Sequence, residues 1–104
     1  MRVASGKHRV ADLAVFEEPP ARPVALTPPL VIIEILSPDD RASELHRKLA
    51  DYTAFGVPNI WIVDPMLGEI YVYGDRSLRQ VASFELPAYG LSFPEADIMA
   101  QIID

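Results

Sequence analysis

The chain contains no cysteine, two histidines and five glycines, and its acidic residues outnumber its basic ones, 15 against nine. Without cysteine there are no disulfides and no thiolate metal sites, and a cytoplasmic home is the default expectation. His8 and His46 are isolated and far apart, which argues against zinc. No glycine-rich phosphate loop is present. No apolar stretch approaches the roughly 20 residues a membrane span needs, and the basic, polar start from Met1 to Val10 has no signal-peptide core. The formal charge of −6 argues against simple binding to a nucleic-acid backbone. The positive charges are nevertheless clustered, at Arg2, Lys7, His8 and Arg9 and again at Arg41, His46, Arg47 and Lys48, so a local basic surface stays open.

What is present is an ordinary globular composition, 50% hydrophobic and 23% charged, in 104 residues. That length suits one small domain spanning residues 1–104. A strand is expected over Arg9–Phe16, then a proline-rich loop holding Pro19, Pro20, Pro23, Pro28 and Pro29. The run Leu30-Val31-Ile32-Ile33-Glu34-Ile35-Leu36 reads as a strand buried on both faces. Ser37-Pro38-Asp39-Asp40 carries a helix-start signature, and the pattern predicts a helix from about Asp40 to Phe55, stopped by Gly56 with Pro58 beyond. Leu45, Leu49 and Tyr52 form its apolar stripe. Further strands are expected at Asn59–Val63, at Glu69–Tyr73 and at Leu78–Leu86, with turns at Asp64–Gly68 and Gly74–Ser77 and a short helix starting near Pro94–Asp97. The strand–helix–strand unit should form a right-handed parallel crossover with the later strands added antiparallel at an edge. The expected class is α/β, a mixed sheet with one principal helix packed on it.

Glu34 is the residue that breaks the pattern, because a carboxylate inside a buried strand must be paired, protonated or bound to a metal. It either serves chemistry or sits at a strand end, reaching solvent or pairing with an arginine such as Arg9 or Arg41. Asp12 is similarly out of place within Val10–Phe16, where it is either an exposed edge residue or, if the two strands are neighbours, a second carboxylate beside Glu34. Two such carboxylates suit a hard divalent cation such as Mg²⁺. At about 100° per residue, Lys48 falls roughly 60° from Leu45 and roughly 40° from Tyr52, on the margin of the buried stripe with Arg41. It either snorkels to water or reaches the strand that carries Glu34. Ser37 has no histidine at nucleophile–base spacing and reads as a helix-entry residue. Asp64 before Pro65 reads as a strand-ending turn residue and a possible secondary acidic group near the site. Trp61 reads as core.

Four ordered segments together resemble the Uma-type restriction endonuclease family of the PD-(D/E)XK nuclease superfamily: Arg9–Val15, Pro28–Pro38, Arg47–Tyr52 and Gly56–Pro65. The resemblance implies a restriction-endonuclease-like core in which Asp12 and Glu34 ligate Mg²⁺ (or Mn²⁺), with the backbone carbonyl of Ile35 as a third ligand. The superfamily places a lysine two residues after the acidic residue. Here that position is Leu36, and Lys48 on the helix is the matching candidate. Arg9, Ser37 and Asp64 are secondary candidates. The implied reaction is metal-assisted hydrolysis of DNA phosphodiester bonds by in-line attack, releasing the 3′ oxygen.

Two departures qualify the resemblance. Ala11 stands where the family has proline before the aspartate. The chain also begins after the family's first helix, a further acidic residue and the first strands, so it is expected to be the C-terminal part of the domain. An uncovered sheet edge or helix face would then favour a homo-oligomer. The alternative to a nuclease is accordingly a non-catalytic relic or dimeric interaction module that keeps the fold.

Overall fold

In the computed structural model, the described residues are 2–4, 7–8, 12–17 and 27–102, the first two segments by backbone alone. Two short strands, β1 (Arg2–Ala4) and β2 (Lys7–His8), pair antiparallel. The main sheet follows, five strands in the order β3-β4-β5-β6-β7. Its members are β3 (Leu13–Val15), β4 (Val31–Ile35), β5 (Asn59–Asp64), β6 (Glu69–Gly74) and β7 (Ser77–Val81). The β4 and β5 strands run parallel and are joined by α1 (Ala42–Phe55); every other neighbouring pair is antiparallel. This is the mixed α/β sheet with a principal helix that the pattern implied. Of the first expected strand, Arg9–Phe16, the described part is strand at Leu13–Val15 and not at Asp12 or Phe16, and Arg9, Val10 and Ala11 lie outside the described residues.

The alternation of β4 and β5 divides the apolar residues between two cores. Ile32, Ile60 and Ile62 face Leu49 and Tyr52 of α1, with Val57 beside them. Val31, Trp61, Val63 and Ile70 face the other way, onto Phe84 and Leu86. Residues of a strand alternate between faces, so one buried strand can serve both layers. The buried Pro29 leads into β4, and the side-chain amide of Asn59 donates to the Leu30 carbonyl at 3.1 Å, tying the start of β5 to the start of β4.

Two expectations need correction. The helix begins at Ala42, not Asp40. Asp40 instead closes a turn: its Oδ2 accepts the Ser37 N–H at 2.8 Å while its own N–H donates to the Ser37 carbonyl at 3.1 Å. A carboxylate engaged with the backbone three residues earlier cannot also cap the helix, and Arg41 at the N-cap makes no side-chain capping bond. At the other end Gly56 adopts φ 100°, and its N–H returns to the last carbonyls of α1 as expected of a left-handed C-cap.

The segment Leu78–Leu86 is two strands rather than one. After β7 the chain leaves the main sheet, and β8 (Ser83–Leu86) pairs with β9 (Leu91–Pro94) through a 3₁₀ turn at Pro87–Tyr89. A short helix, α2 (Glu95–Ile102), follows. The departure allows Phe84 and Leu86 to cover the sheet face opposite α1, and Ile98, Met99 and Ile102 pack against the same cluster. A single continuous strand would have left that face bare. Trp61 is core, as expected, and stacks on Phe84 with centroids 4.4 Å apart and planes 6° from parallel. No helix among the described residues is long and apolar enough to cross a membrane.

Candidate active site

The site forms where β3 ends against β4. Antiparallel pairing of Leu13 with Ile33 brings Asp12, the next residue outward, beside Glu34. The Asp12 N–H donates to Glu34 Oε2 at 3.3 Å, and Asp12 Oδ2 accepts the Ile35 N–H at 2.7 Å. The aspartate side chain thus continues the ladder where the backbone of β3 runs out. Asp12 itself is exposed, as an edge residue would be.

Glu34 shares the face of Ile32 and therefore points toward α1, where it is only 3% exposed. Three donors meet its carboxylate. Lys48 Nζ donates to Oε1 at 2.8 Å, while the Tyr52 hydroxyl at 3.2 Å and the Asp12 N–H both reach Oε2. Lys48 and Tyr52 are four residues apart and hence one turn apart on the same helix face. This answers the physical problem posed by the sequence: the buried charge is paired and hydrogen-bonded on both oxygens. Its ionic partner is Lys48 rather than an arginine. The Lys48 pKa is raised above the usual lysine range, chiefly by the hydrogen bond to Glu34; the charges of Glu34, Asp12 and Asp40 add to the effect and partial burial opposes it.

Leu36 is the strand position at which the sequence resemblance would have placed a lysine. It shares the helix-facing side with Glu34 and packs against the core beneath α1. The ammonium that meets Glu34 arrives from the helix above. Beside the pair opens a cleft of about 340 Å³ lined by Glu34, Asp39, Asp40, Arg41, Glu44, Leu45 and Lys48.

The remaining candidates separate. Ser37 lies in the turn closed by Asp40, its N–H donating to the Asp40 carboxylate and its carbonyl accepting the Asp40 N–H. Asp64 ends β5 and is buried, and its Oδ1 accepts the Met66 and Leu67 N–H groups at 3.0 and 3.2 Å, which builds the turn into β6. Arg9 lies outside the described residues. Tyr52 is the site residue that sequence reasoning missed, since its place on the apolar stripe concealed a hydroxyl aimed at Glu34. Its four-residue spacing from Lys48 was the available signal.

A divalent cation is compatible with the donors present. Asp12, Glu34 and the Ile35 carbonyl would offer oxygen donors, the kind Mg²⁺ and Mn²⁺ favour. Among the described residues no cluster of three or more His, Cys, Asp or Glu side chains could hold a metal. Two carboxylates and a carbonyl would leave the rest of a cation's coordination to water, which Mg²⁺ tolerates.

No curated protein matches the chain. A solved structure from Anabaena variabilis, described as "a putative nuclease belonging to DUF820", is similar in fold, with a TM-score of 0.60 at 22% sequence identity. The likeness covers 72% of this chain and 46% of that one, so the chain spans about half the length of that protein. The family described as Uma2, "Putative restriction endonuclease", matches residues 1–98. With nearly its whole length matched, the chain belongs to that family.

Proposed function

We propose that this chain carries the metal-binding core of a Mg²⁺- or Mn²⁺-dependent nuclease acting on DNA, with Asp12, Glu34 and the Ile35 carbonyl as ligands and Lys48 as the catalytic cation. The single observation that carries the reading is the convergence on Glu34: a carboxylate 3% exposed, bonded to Lys48 at 2.8 Å, with Asp12 anchored to the next residue of the strand. Two carboxylates and an ammonium in one place retain one net negative charge, which favours a cation.

Bound there, the metal would supply Lewis acidity, polarising a phosphate oxygen and lowering the pKa of a water. The chain's own groups would do the rest. Asp12 and Glu34 would supply carboxylate oxygens to the cation. Lys48, its pKa raised, stays protonated at neutral pH; it is suited to orient the attacking water and stabilise charge growing on the phosphate, not to take a proton from that water. The water oxygen would form the new P–O bond as the P–O3′ bond breaks, its proton would pass to solvent, and the departing 3′ oxygen would take a proton from solvent to leave as a hydroxyl.

The test is a calorimetric titration of Mn²⁺ and Mg²⁺ into the wild type and Glu34→Ala, followed by cleavage assays on linear, supercoiled and single-stranded DNA. Saturable binding lost in the variant, with cleavage dependent on the cation, is the expected result. Absence of binding to the wild type would overturn it. The second reading, a non-catalytic module that associates through its surface, is favoured by one observation: Leu13, Val15, Leu91 and Phe93 are exposed around a groove of about 350 Å³ on the face opposite α1.

A further inference from the structure

Tyr52 is fully buried among Ile32, Leu49, Ile60 and Ile62. For packing alone, phenylalanine would serve such a place as well. A buried hydroxyl costs free energy unless it is hydrogen-bonded, and this one donates to Glu34 Oε2 at 3.2 Å.

The two helix donors therefore divide the carboxylate. Lys48 takes Oε1 and Tyr52 takes Oε2. An ammonium alone fixes one oxygen and leaves the carboxylate plane free to turn about its last bond. A second donor from the same helix face, set in a close-packed core, fixes the plane. Without the hydroxyl, Oε2 would keep the longer bond from the Asp12 N–H at 3.3 Å, which comes from the exposed edge of the sheet.

We infer that Tyr52 is a positioning residue, which fixes the orientation of the Glu34 carboxylate for the cation proposed to take Glu34 and Asp12 as ligands. The inference rests on the metal-binding reading above. Lys48 supplies charge at the site and Tyr52 supplies direction. Outer partners of metal-ligating side chains typically control affinity by about 10–100-fold, and Tyr52 belongs to that class because it touches the ligand and not the cation.

The test is Mn²⁺ binding by calorimetry to the wild type, Tyr52→Phe, Glu34→Gln and the double variant, with a thermal melt of each in the absence of cation. The expected result is an affinity about tenfold weaker in Tyr52→Phe, with folding retained, and no further loss when Tyr52→Phe is added to Glu34→Gln. If Tyr52→Phe melts below the assay temperature, Tyr52→Met, a flexible apolar filler, carries the same comparison. Wild-type binding with unchanged affinity in the Tyr52 variant overturns the positioning role and leaves the metal site standing. Absence of binding to the wild type overturns both.

Discussion

Lys48 and Glu34 form a half-buried pair in which the two partners are unequally exposed, the lysine side chain 34% and the glutamate 4%. Removing the ammonium leaves a carboxylate buried with neutral donors only. Lys48→Met should cost about 1–3 kcal/mol, less than the loss from a fully buried pair because water screens the lysine side. Urea unfolding at pH 7 measures it. The pH dependence has a definite sign. Folding raises the lysine pKa above 10.5, so the pair contributes fully below that value and fades as pH climbs through the raised one. Wild type should therefore lose stability on this alkaline limb, and Lys48→Met should lose less. Glu34 was legible in the sequence because a charge inside an apolar β-branched run has few bland explanations. Asp12 was legible only jointly with it, since at an exposed edge an aspartate carries no signal of its own. Tyr52 was legible only through its four-residue spacing from Lys48, because tyrosine on a helical stripe reads as apolar and its hydroxyl declares itself only against a partner in another element.

At the scale of elements, the parallel β4–α1–β5 unit is what brings helix donors over a strand carboxylate. Its geometry depends on how α1 ends. Gly56 at φ 100° has open room around a would-be Cβ, the nearest atom being Pro28 Cγ at 3.8 Å. Gly56→Ala should therefore be limited by backbone strain rather than collision, at about 1–2 kcal/mol. A lower urea midpoint with an unchanged slope would show it; a change in slope would mean that the loop into β5 had rearranged. This C-cap was readable from glycine followed by proline. The start of α1 was not, because Asp40 could cap a helix or close a turn and local chemistry favours either. The break between β7 and β8 was also hidden. Phe84 and Leu86 continue the period-2 pattern, and Ala82 carries no glycine or proline to mark the departure. What moved the chain was the need to cover Val31, Trp61, Val63 and Ile70, a demand set by residues far away in sequence.

On the scale of the whole molecule, the two faces of the sheet are unequally finished. The α1 face closes over Glu34, whereas the opposite face keeps an apolar groove bordered by the edge strand β3, whose three residues are all exposed. Among the described residues β3 is an edge strand, and such an edge beside exposed apolar side chains favours self-association. We propose that the chain forms homo-oligomers through this region. Light scattering across a concentration series should show mass rising with concentration, and Leu13→Lys should suppress the rise; a monomer at all concentrations would rule the interface out. The mixed sheet and the crossover helix were readable from strand and helix periodicity, but the place of β3 beside β4 was not. The second layer was not, being built from elements whose role is to shield a face.

The position of the chain's one tryptophan adds an optical consequence. Trp61 stacks on Phe84 and lies near Phe93, on the side of the sheet away from Glu34 and Lys48. Its emission therefore senses whether the β8–β9 hairpin is seated, and one strand's thickness insulates it from the carboxylates. Fluorescence can follow unfolding or undocking of the lower layer, but a silent tryptophan during a cation titration would say nothing about occupancy of the cleft. A reporter for that side has to be placed on α1.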